Sequence, residues 1–246
     1  MPDTAGTART LAPIDVSLPR PHRHPTVGRV VAHLVRQGFP ATPDLRQRVR
    51  ALLPEARRAL SMKSLGRVVP IGPGGCVARD ALPAEIRRAD ALGVGLCTVG
   101  EDIDAAAAHL RTDGRWIDAW IWDACGIVAL AELADRLARE MWGWASARGA
   151  RASRAYAPGV ASSEWDLSHQ RLIFRLLPAG RIGVRLTPNL WMHPVKSRSF
   201  VVGIGDRVVQ AAAPFDCGGC HDATCIHRRA GHRAAAAANR ESGGSP

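Results

Sequence analysis

The stretch WIDAWIWDACGIVALAELADRLAREMWGWASA (residues 116–147) decides the fold, because it is the strongest helical pattern in the chain. Its apolar residues recur at helical spacing and surround the helix on most faces over the first half. A helix that is apolar on most faces is buried among other elements and does not lie on the surface. The stretch therefore predicts one long central helix. Gly126 lies inside it and weakens the helix unless it allows another element to approach closely.

Shorter segments on both sides of this helix predict an α+β fold. Residues 27–37 have helical spacing and end at Gly38, which is typical of a helix C-terminus. Thr42 and Pro43 suit an N-cap and a first helical position, so they predict a second helix that runs to about Ser61. The other predicted elements are a strand at 67–71, a buried strand at 92–99, a helix at 103–110, a loop at 148–165, a short helix at 167–177 capped by Asp166 or Ser168, and antiparallel strands at 182–187, 200–204 and 208–212.

Length and composition indicate one domain with polar ends. The chain has 246 residues and 46% hydrophobic content, which is enough for a sizeable core. We expect a flexible arm over residues 1–25, one domain over 26–228 and a flexible tail over 229–246. No run reaches the ~18–20 apolar residues of a membrane span. The N-terminus also lacks the apolar core of a signal peptide, so we expect a cytoplasmic protein with no membrane partner.

The charge of the chain is strongly positive but scattered. Lys and Arg number 33 against 22 Asp and Glu, which gives a net charge of +11. The chain has one Tyr and four Phe, and no aromatic and basic platform of the kind that stacks bases is visible. We therefore expect no nucleic-acid binding, while an acidic protein partner stays compatible with the charge.

Two motifs in the second half carry chemistry. Arg154-Ala-Tyr-Ala-Pro-Gly159 predicts a loop for a small ligand, since the Arg fork binds a carboxylate and Gly lets a ligand approach the backbone. An ordinary surface loop with a stray Arg is the alternative. The second motif is a C-x2-C-x4-C run that predicts zinc or an iron–sulfur cluster, with free thiols as the alternative. Its ligands would be Cys217, Cys220 and Cys225, with His221 or His227 as the fourth.

The other cysteines lie on apolar elements. Cys76, Cys97 and Cys125 are therefore predicted to be buried small side chains and not ligands. In a cytoplasmic protein they are not expected to form disulfides.

Several segments, in this order and spacing, resemble the activation (reactivation) domain of cobalamin-dependent methionine synthase and its stand-alone relatives. The resemblance covers about residues 27–228. It implies a C-shaped α+β domain with a central twisted antiparallel sheet flanked by helices, which binds S-adenosylmethionine in a shallow groove. The segments that carry it are CTVGEDI (97–103), DAWIWDACG (118–126), AELADRL (131–137), IGVRLT (182–187) and PVKSRS (194–199).

The resemblance also implies the ligand-binding residues. Arg154 would bind the carboxylate of S-adenosylmethionine, and the backbone of Ala155 and Ala157 would bind adenine. The family's ligand loop reads Arg, three residues, Gly and Tyr. Here Arg154 is followed by four residues and then by Gly159 and Val160. The family's Thr-Glu pair corresponds to Thr187-Pro188. The full implied set is Arg154, Ala155, Tyr156, Ala157, Pro158, Gly159, Val160, Thr187 and Ser197.

Three functions follow from these patterns. In the first, the protein presents S-adenosylmethionine for reductive methylation of a corrinoid. The corrinoid and an electron donor come from partners, since no Asp-x-His-x-x-Gly cobalamin motif is present. In the second, it is an enzyme that consumes S-adenosylmethionine alone, for example by cyclisation to 1-aminocyclopropane-1-carboxylate plus methylthioadenosine, with Lys196, His193 or Glu140 as the base. In the third, it is a zinc-stabilised module that binds an acidic partner without catalysis.

Overall fold

The structure is a computed structural model that describes residues 14–16, 24–72, 75–160 and 165–215. Within these residues the chain forms helices on both faces of an antiparallel sheet. The helices are α1 (Val27–Arg36), α2 (Pro43–Arg58), α3 (Asp102–Thr112), α4 (Trp116–Ser146) and α5 (Gln170–Leu176). The strands are β1 (Ile14–Val16), β2 (Lys63–Pro70), β3 (Ala91–Thr98), β4 (Arg151–Tyr156), β5 (Arg185–Leu186), β6 (Met192–His193) and β7 (Ser197–Gly205).

The main sheet has the strand order β1-β2-β3-β7-β4, and every neighbouring pair in it is antiparallel. β5 and β6 form a separate small hairpin. The α+β class, the antiparallel sheet and the long helix that the sequence predicts are confirmed. Strand β3 is buried at all of its positions, as its apolar run predicts.

The two faces of β3 differ in side-chain size, and this difference positions the long helix. Leu92, Val94 and Leu96 point into the core on the side of α5. Gly93 and Gly95 alternate with them and face α4. A Cβ on Gly93 would lie 2.9 Å from the Met141 sulfur. The absence of side chains on this face therefore lets α4 pack closely against the sheet.

Helix α4 joins two cores along its length. Its second half packs on the sheet through residues such as Leu137 and Met141. Its first half packs among α1, α2 and α3 through Ile121 and Cys125. Helix α4 extends from Trp116 to Ser146, as predicted, and its buried positions lie on more than one face because it has neighbours on more than one side.

The predicted helix starts agree with the structure. Thr42 is the N-cap of α2 and its side chain accepts a hydrogen bond from the Leu45 amide at 3.2 Å, with Pro43 in the first turn. Of the two predicted caps near residue 167, Asp166 is the one used, since its Oδ1 accepts from the Ser168 amide at 2.8 Å. A single 3₁₀ turn precedes α5 there.

Several sequence-based expectations are wrong. Residues 151–156, predicted as loop, form β4, because they pair with the far edge of β7. Residues 182–187 form only the two-residue strand β5, preceded by a 3₁₀ helix over Ala179–Ile182. Residues 208–212 form no strand, and residues 14–16, expected in the flexible arm, pair with β2.

The cysteine predictions hold only in part. Cys97 and Cys125 are buried, and burial raises the pKa of each thiol to about 12. Cys76 is exposed, because it follows the turn after β2 and does not lie within an apolar element. Among the described residues, no helix is both long enough and apolar enough to span a bilayer.

Substitution of Gly95 by Ala tests the glycine-lined face. The added methyl would overlap the Phe200 ring of the neighbouring strand, which has no room to move. We expect Gly95→Ala to lower the free energy of unfolding by about 2 kcal/mol. Gly93→Ala, whose neighbour is the flexible Met141 side chain, is the matched control and should cost less than about 1 kcal/mol. Urea denaturation measures both, and equal losses would contradict this account of the packing.

Candidate functional site

One end of the main sheet collects most of the predicted site residues. Thr98 at the end of β3 pairs with Ser197 at the start of β7. In β4, Tyr156 pairs with Val201 and the chain runs antiparallel to β7, so the residues after Tyr156 head towards the same end. We call this region the Thr98–Ser197 end of the sheet. It brings the predicted ligand segment close to the strand that follows Lys196.

Arg154 lies on β4 between an aromatic ring and a carboxylate. Its guanidinium carbon is 4.3 Å from the centre of the Tyr156 ring, and its Nη2 is 3.7 Å from Glu85 Oε1. The Tyr156 side chain is buried, and this burial raises the pKa of its phenol. The Tyr156 ring therefore packs against the Arg154 guanidinium. The distance from the guanidinium to Glu85 is longer than a hydrogen bond.

A bulge in β4 sets the direction of this segment. The register between β4 and β7 shifts between Ala152 and Ala155, and Ser153 Oγ accepts from the Gly203 amide at 2.9 Å in place of a backbone carbonyl. The Ala155 amide donates to Pro214 O at 2.6 Å. The Ala155 amide is therefore used within the fold, and the expectation that the backbone of Ala155 and Ala157 binds adenine stays a prediction.

The turn after β4 is open to solvent. Gly159 has a φ of +74°, and its amide donates to Trp165 O at 2.7 Å. A Cβ there would lie 2.8 Å from Leu167 Cδ1, so glycine suits this position for both backbone and space. Gly159 and Val160 are exposed, while Pro158 is buried. This turn is therefore the most exposed part of the predicted segment, whereas the Arg154 side chain is 18% exposed.

Thr187 and Ser197, the predicted ligand residues outside the 154–160 segment, have structural contacts. Thr187 closes the β5–β6 hairpin, since its Oγ1 accepts from the Trp191 amide at 3.0 Å. Ser197 Oγ is buried, 2.7 Å from Pro194 O and 3.0 Å from Thr98 Oγ1. Ser197 thereby connects β7 to the end of β3 and has little surface left for a ligand.

Lys196 is the centre of an ion-pair cluster at this end of the sheet. Its Nζ donates to Asp104 of α3 and, at 2.7 Å, to Asp123 of α4. The lysine stem crosses α4 at Gly126, where a Cβ would lie 2.5 Å from Cδ and 2.7 Å from Cε. The glycine inside the long helix thus makes room for the stem of Lys196. The other Asp104 oxygen is buried without a hydrogen-bond partner among the described residues.

The three predicted bases lie in different surroundings. Lys196 is nearly buried and donates to two carboxylates, an arrangement typical of an ion pair. His193 is half-exposed, with Nε2 3.1 Å from Glu101 Oε2, and lies at the same end of the sheet. Glu140 is exposed on α4, and at 1.5 Å per residue it lies about 25 Å from Asp123 along the helix axis. A basic role for any of them stays a prediction.

The predicted metal ligands Cys217, Cys220, Cys225, His221 and His227 lie outside the described residues. Over residues 14–16, 24–72, 75–160 and 165–215, no group of three or more His, Cys, Asp or Glu side chains could hold a metal ion. The metal assignment therefore stays a prediction.

A pocket that the sequence did not predict lies on the α5 side of the sheet. Its volume is about 340 Å³. Arg67, Cys76 and Arg175 form its polar lining, and Val69, Leu172 and Leu176 form its apolar lining. These residues come from three segments of the chain, 67–69, 76 and 172–176, that share no motif. No sequence signal therefore indicates that the three segments meet. The Arg67 guanidinium is already bonded to Asp15 at 2.7 Å and to Leu176 O at 3.2 Å, so it does not have all its donors available.

The fold of the chain is similar to that of a solved structure. No protein-family model and no curated protein sequence matches the chain. The crystal structure of the MetH reactivation domain bound to AdoHcy is similar, with a TM-score of 0.56 and 14% sequence identity. The similarity covers 84% of this chain and 82% of that chain. At this identity it establishes a shared fold.

Removal of the Lys196 ammonium tests the ion-pair cluster. Lys196→Met leaves the carboxylates of Asp104 and Asp123 close together without their shared cation. Because both carboxylates are partly exposed, we expect a loss of about 1–2 kcal/mol in the free energy of unfolding. Lys63, the other lysine in the chain, is exposed on β2, so Lys63→Met is the matched control with little expected change. Addition of Asp123→Asn to Lys196→Met should recover part of the loss, and a further loss would contradict the account.

Proposed function

We propose that this protein binds S-adenosylmethionine along β4, from Arg154 to the turn at Gly159 and Val160, and presents its methyl group to a corrinoid that a partner protein carries. The observation that carries the proposal is the fold shared with a reactivation domain whose structure contains AdoHcy. AdoHcy is the product that remains when S-adenosylmethionine gives up its methyl group. A shared fold places no ligand in this chain, so the support from the site itself matters.

The contacts of Arg154 suit the amino-acid end of S-adenosylmethionine. That end carries a carboxylate and an ammonium on one carbon. Arg154 offers a fork for the carboxylate, and Glu85, 3.7 Å away, offers a charge for the ammonium. The exposed turn at Gly159 and Val160 then leaves room for the adenosine.

The reaction needs little acid–base chemistry from the protein. A reductant converts cob(II)alamin to cob(I)alamin with one electron, and the cobalt then attacks the sulfonium methyl carbon. The carbon–sulfur bond breaks with its electron pair on sulfur, which gives methylcobalamin and S-adenosylhomocysteine. The protein contributes position and orientation, and this function asks no general base of it.

The contact between His193 and Glu101 favours a second candidate, an enzyme that consumes S-adenosylmethionine alone. A histidine bonded to a carboxylate at 3.1 Å is an arrangement that can serve as a general base, and it lies at the Thr98–Ser197 end of the sheet. Removal of the Cα proton would let Cα displace sulfur at Cγ, which gives 1-aminocyclopropane-1-carboxylate and methylthioadenosine.

One incubation separates the two functions. The purified protein is mixed with S-adenosylmethionine alone, and in parallel with S-adenosylmethionine, cob(II)alamin and a chemical reductant. We expect S-adenosylhomocysteine and methylcobalamin only in the second mixture, above the level seen without protein. Methylthioadenosine in the first mixture, lost in His193→Ala, would contradict the proposal and support the second candidate. Mass spectrometry identifies each product.

Substitution of Arg154 tests the ligand segment. Arg154→Ala removes a charge-assisted contact to the ligand carboxylate, which is worth about 1.5–3 kcal/mol. The dissociation constant for S-adenosylmethionine should therefore rise roughly 10- to 100-fold, as measured by isothermal titration calorimetry. Arg151, at the other end of β4 and exposed, gives the control Arg151→Ala with unchanged affinity. Equal affinity in both variants would show that Arg154 is not the anchor.

A further inference from the structure

The pocket on the α5 side of the sheet has no part in the proposed function. It has a volume of about 340 Å³ and lies over β2. The proposed ligand segment lies on β4, and β3 and β7 come between β2 and β4 in the sheet. Three strand spacings of about 4.8 Å place β2 and β4 roughly 14 Å apart. The pocket is therefore a separate place for a ligand.

Strand β2 and helix α5 form most of the pocket wall. Arg67 and Val69 alternate along β2, so both side chains lie on the α5 side of the sheet. Leu172, Arg175 and Leu176 are three or four residues apart on α5, so they share one side of the helix. Arg67 Nη1 donates to the Leu176 carbonyl oxygen at 3.2 Å. This hydrogen bond connects the end of α5 to β2 at the pocket.

The turn after β2 adds Cys76 to the pocket. The Gly72 amide donates to the Val77 carbonyl oxygen at 3.1 Å, and Val77 forms a β-bridge with Ile71. The chain thereby returns to the end of β2, where Cys76 lines the pocket. Cys76 is exposed and forms no disulfide. Its thiol can therefore report whether the pocket is filled.

The polar wall of the pocket is cationic. Arg67 uses Nε to bond Asp15 at 2.7 Å and Nη1 to bond Leu176, which leaves its Nη2 without a hydrogen bond to the described residues. Arg175 is exposed in the last turn of α5 and has no ion pair with a described residue. Asp15 is 66% exposed and lines a neighbouring cleft. No described carboxylate lines the pocket itself, so two guanidiniums face a ligand there.

The rest of the pocket wall is apolar. Val69, Leu172 and Leu176 are buried side chains of the core on this side of the sheet. The volume is at the lower end of the range of about 300–1,000 Å³ for small-molecule pockets, so it suits a compact ligand. Apolar surface beside two cations is the arrangement that fits an anion with a short apolar body.

We infer that this pocket binds a compact organic anion, with its carboxylate or phosphate on the guanidiniums of Arg67 and Arg175 and its apolar part on Val69, Leu172 and Leu176. The inference does not rest on the proposed function. S-adenosylmethionine carries a sulfonium and an ammonium, which two guanidiniums repel. The pocket therefore selects a ligand of a different class from the one proposed for β4.

The test measures how fast iodoacetamide alkylates Cys76 in the full chain. Trypsin releases this residue in the peptide 68–79, which has no other cysteine, so mass spectrometry follows Cys76 alone. The probes are hexanoate, hexyl phosphate, 1-hexanol, inorganic phosphate and S-adenosylmethionine, all at one ionic strength. Arg175→Gln removes one guanidinium of the pocket. Arg58→Gln, exposed on α2 and outside the pocket lining, is the control with the same change of charge.

We expect hexanoate and hexyl phosphate to slow the alkylation of Cys76, and the one that half-protects at the lower concentration identifies the charged end of the ligand. The half-protecting concentration should rise about tenfold in Arg175→Gln and stay within about twofold in Arg58→Gln, since only the first loses a charge-assisted contact. 1-Hexanol lacks the charge and inorganic phosphate lacks the apolar part, so each should need at least about tenfold more.

Four results would overturn the inference. Neither organic anion slows the alkylation, although a ligand in the pocket must shield a thiol that lines it. 1-Hexanol or inorganic phosphate protects Cys76 as well as the organic anions do, which would make the effect purely apolar or purely ionic. Arg175→Gln and Arg58→Gln lose protection equally. S-adenosylmethionine protects Cys76 at a lower concentration than either anion, which would move the ligand of the proposed function into this pocket.

Discussion

Close contact between α4 and the glycine-lined face of the sheet is the constraint on which the rest of the structure depends. Gly66 and Gly95 pair across β2 and β3, and a Cβ on Gly66 would lie 2.9 Å from Leu137 Cδ1 of α4. Larger residues there would push the helix outward. The second half of the helix is anchored in this way, so its first half extends past the sheet to organise α1, α2 and α3.

The candidate site is a consequence of this geometry. Where α4 passes the end of the sheet, Gly126 lets the Lys196 stem cross the helix and reach Asp104 and Asp123. One side chain thereby connects β7, α3 and α4 beside the turn after β4. The ion pairs are partly screened and contribute modestly to stability. Their larger effect is to fix where α3, α4 and the start of β7 lie relative to one another.

The sequence predicts well those elements whose signal is local and periodic. The long helix, the buried strand β3 and the start of α2 at Thr42 are of this kind. Strand β4 was missed because RASRAY has no clear alternation, and the segment becomes a strand by pairing with the edge of β7. The partners of Lys196 are 73 and 92 residues away, so no spacing in the chain indicates them. Arg154 and Gly159 were singled out from sequence, but the donation from the Ala155 amide to Pro214 depends on tertiary contacts that sequence does not show.

The central claim is that β4, from Arg154 to the turn at Gly159 and Val160, binds the adenosyl ligand. The most direct measurement is a crystal structure of the full chain grown with S-adenosylhomocysteine. The account predicts the ligand carboxylate beside Arg154 and the adenosine against the turn at Gly159 and Val160. Ligand density in the pocket between Arg67 and Arg175, on the α5 side of the sheet, would contradict it, as would an empty β4 segment at saturating ligand.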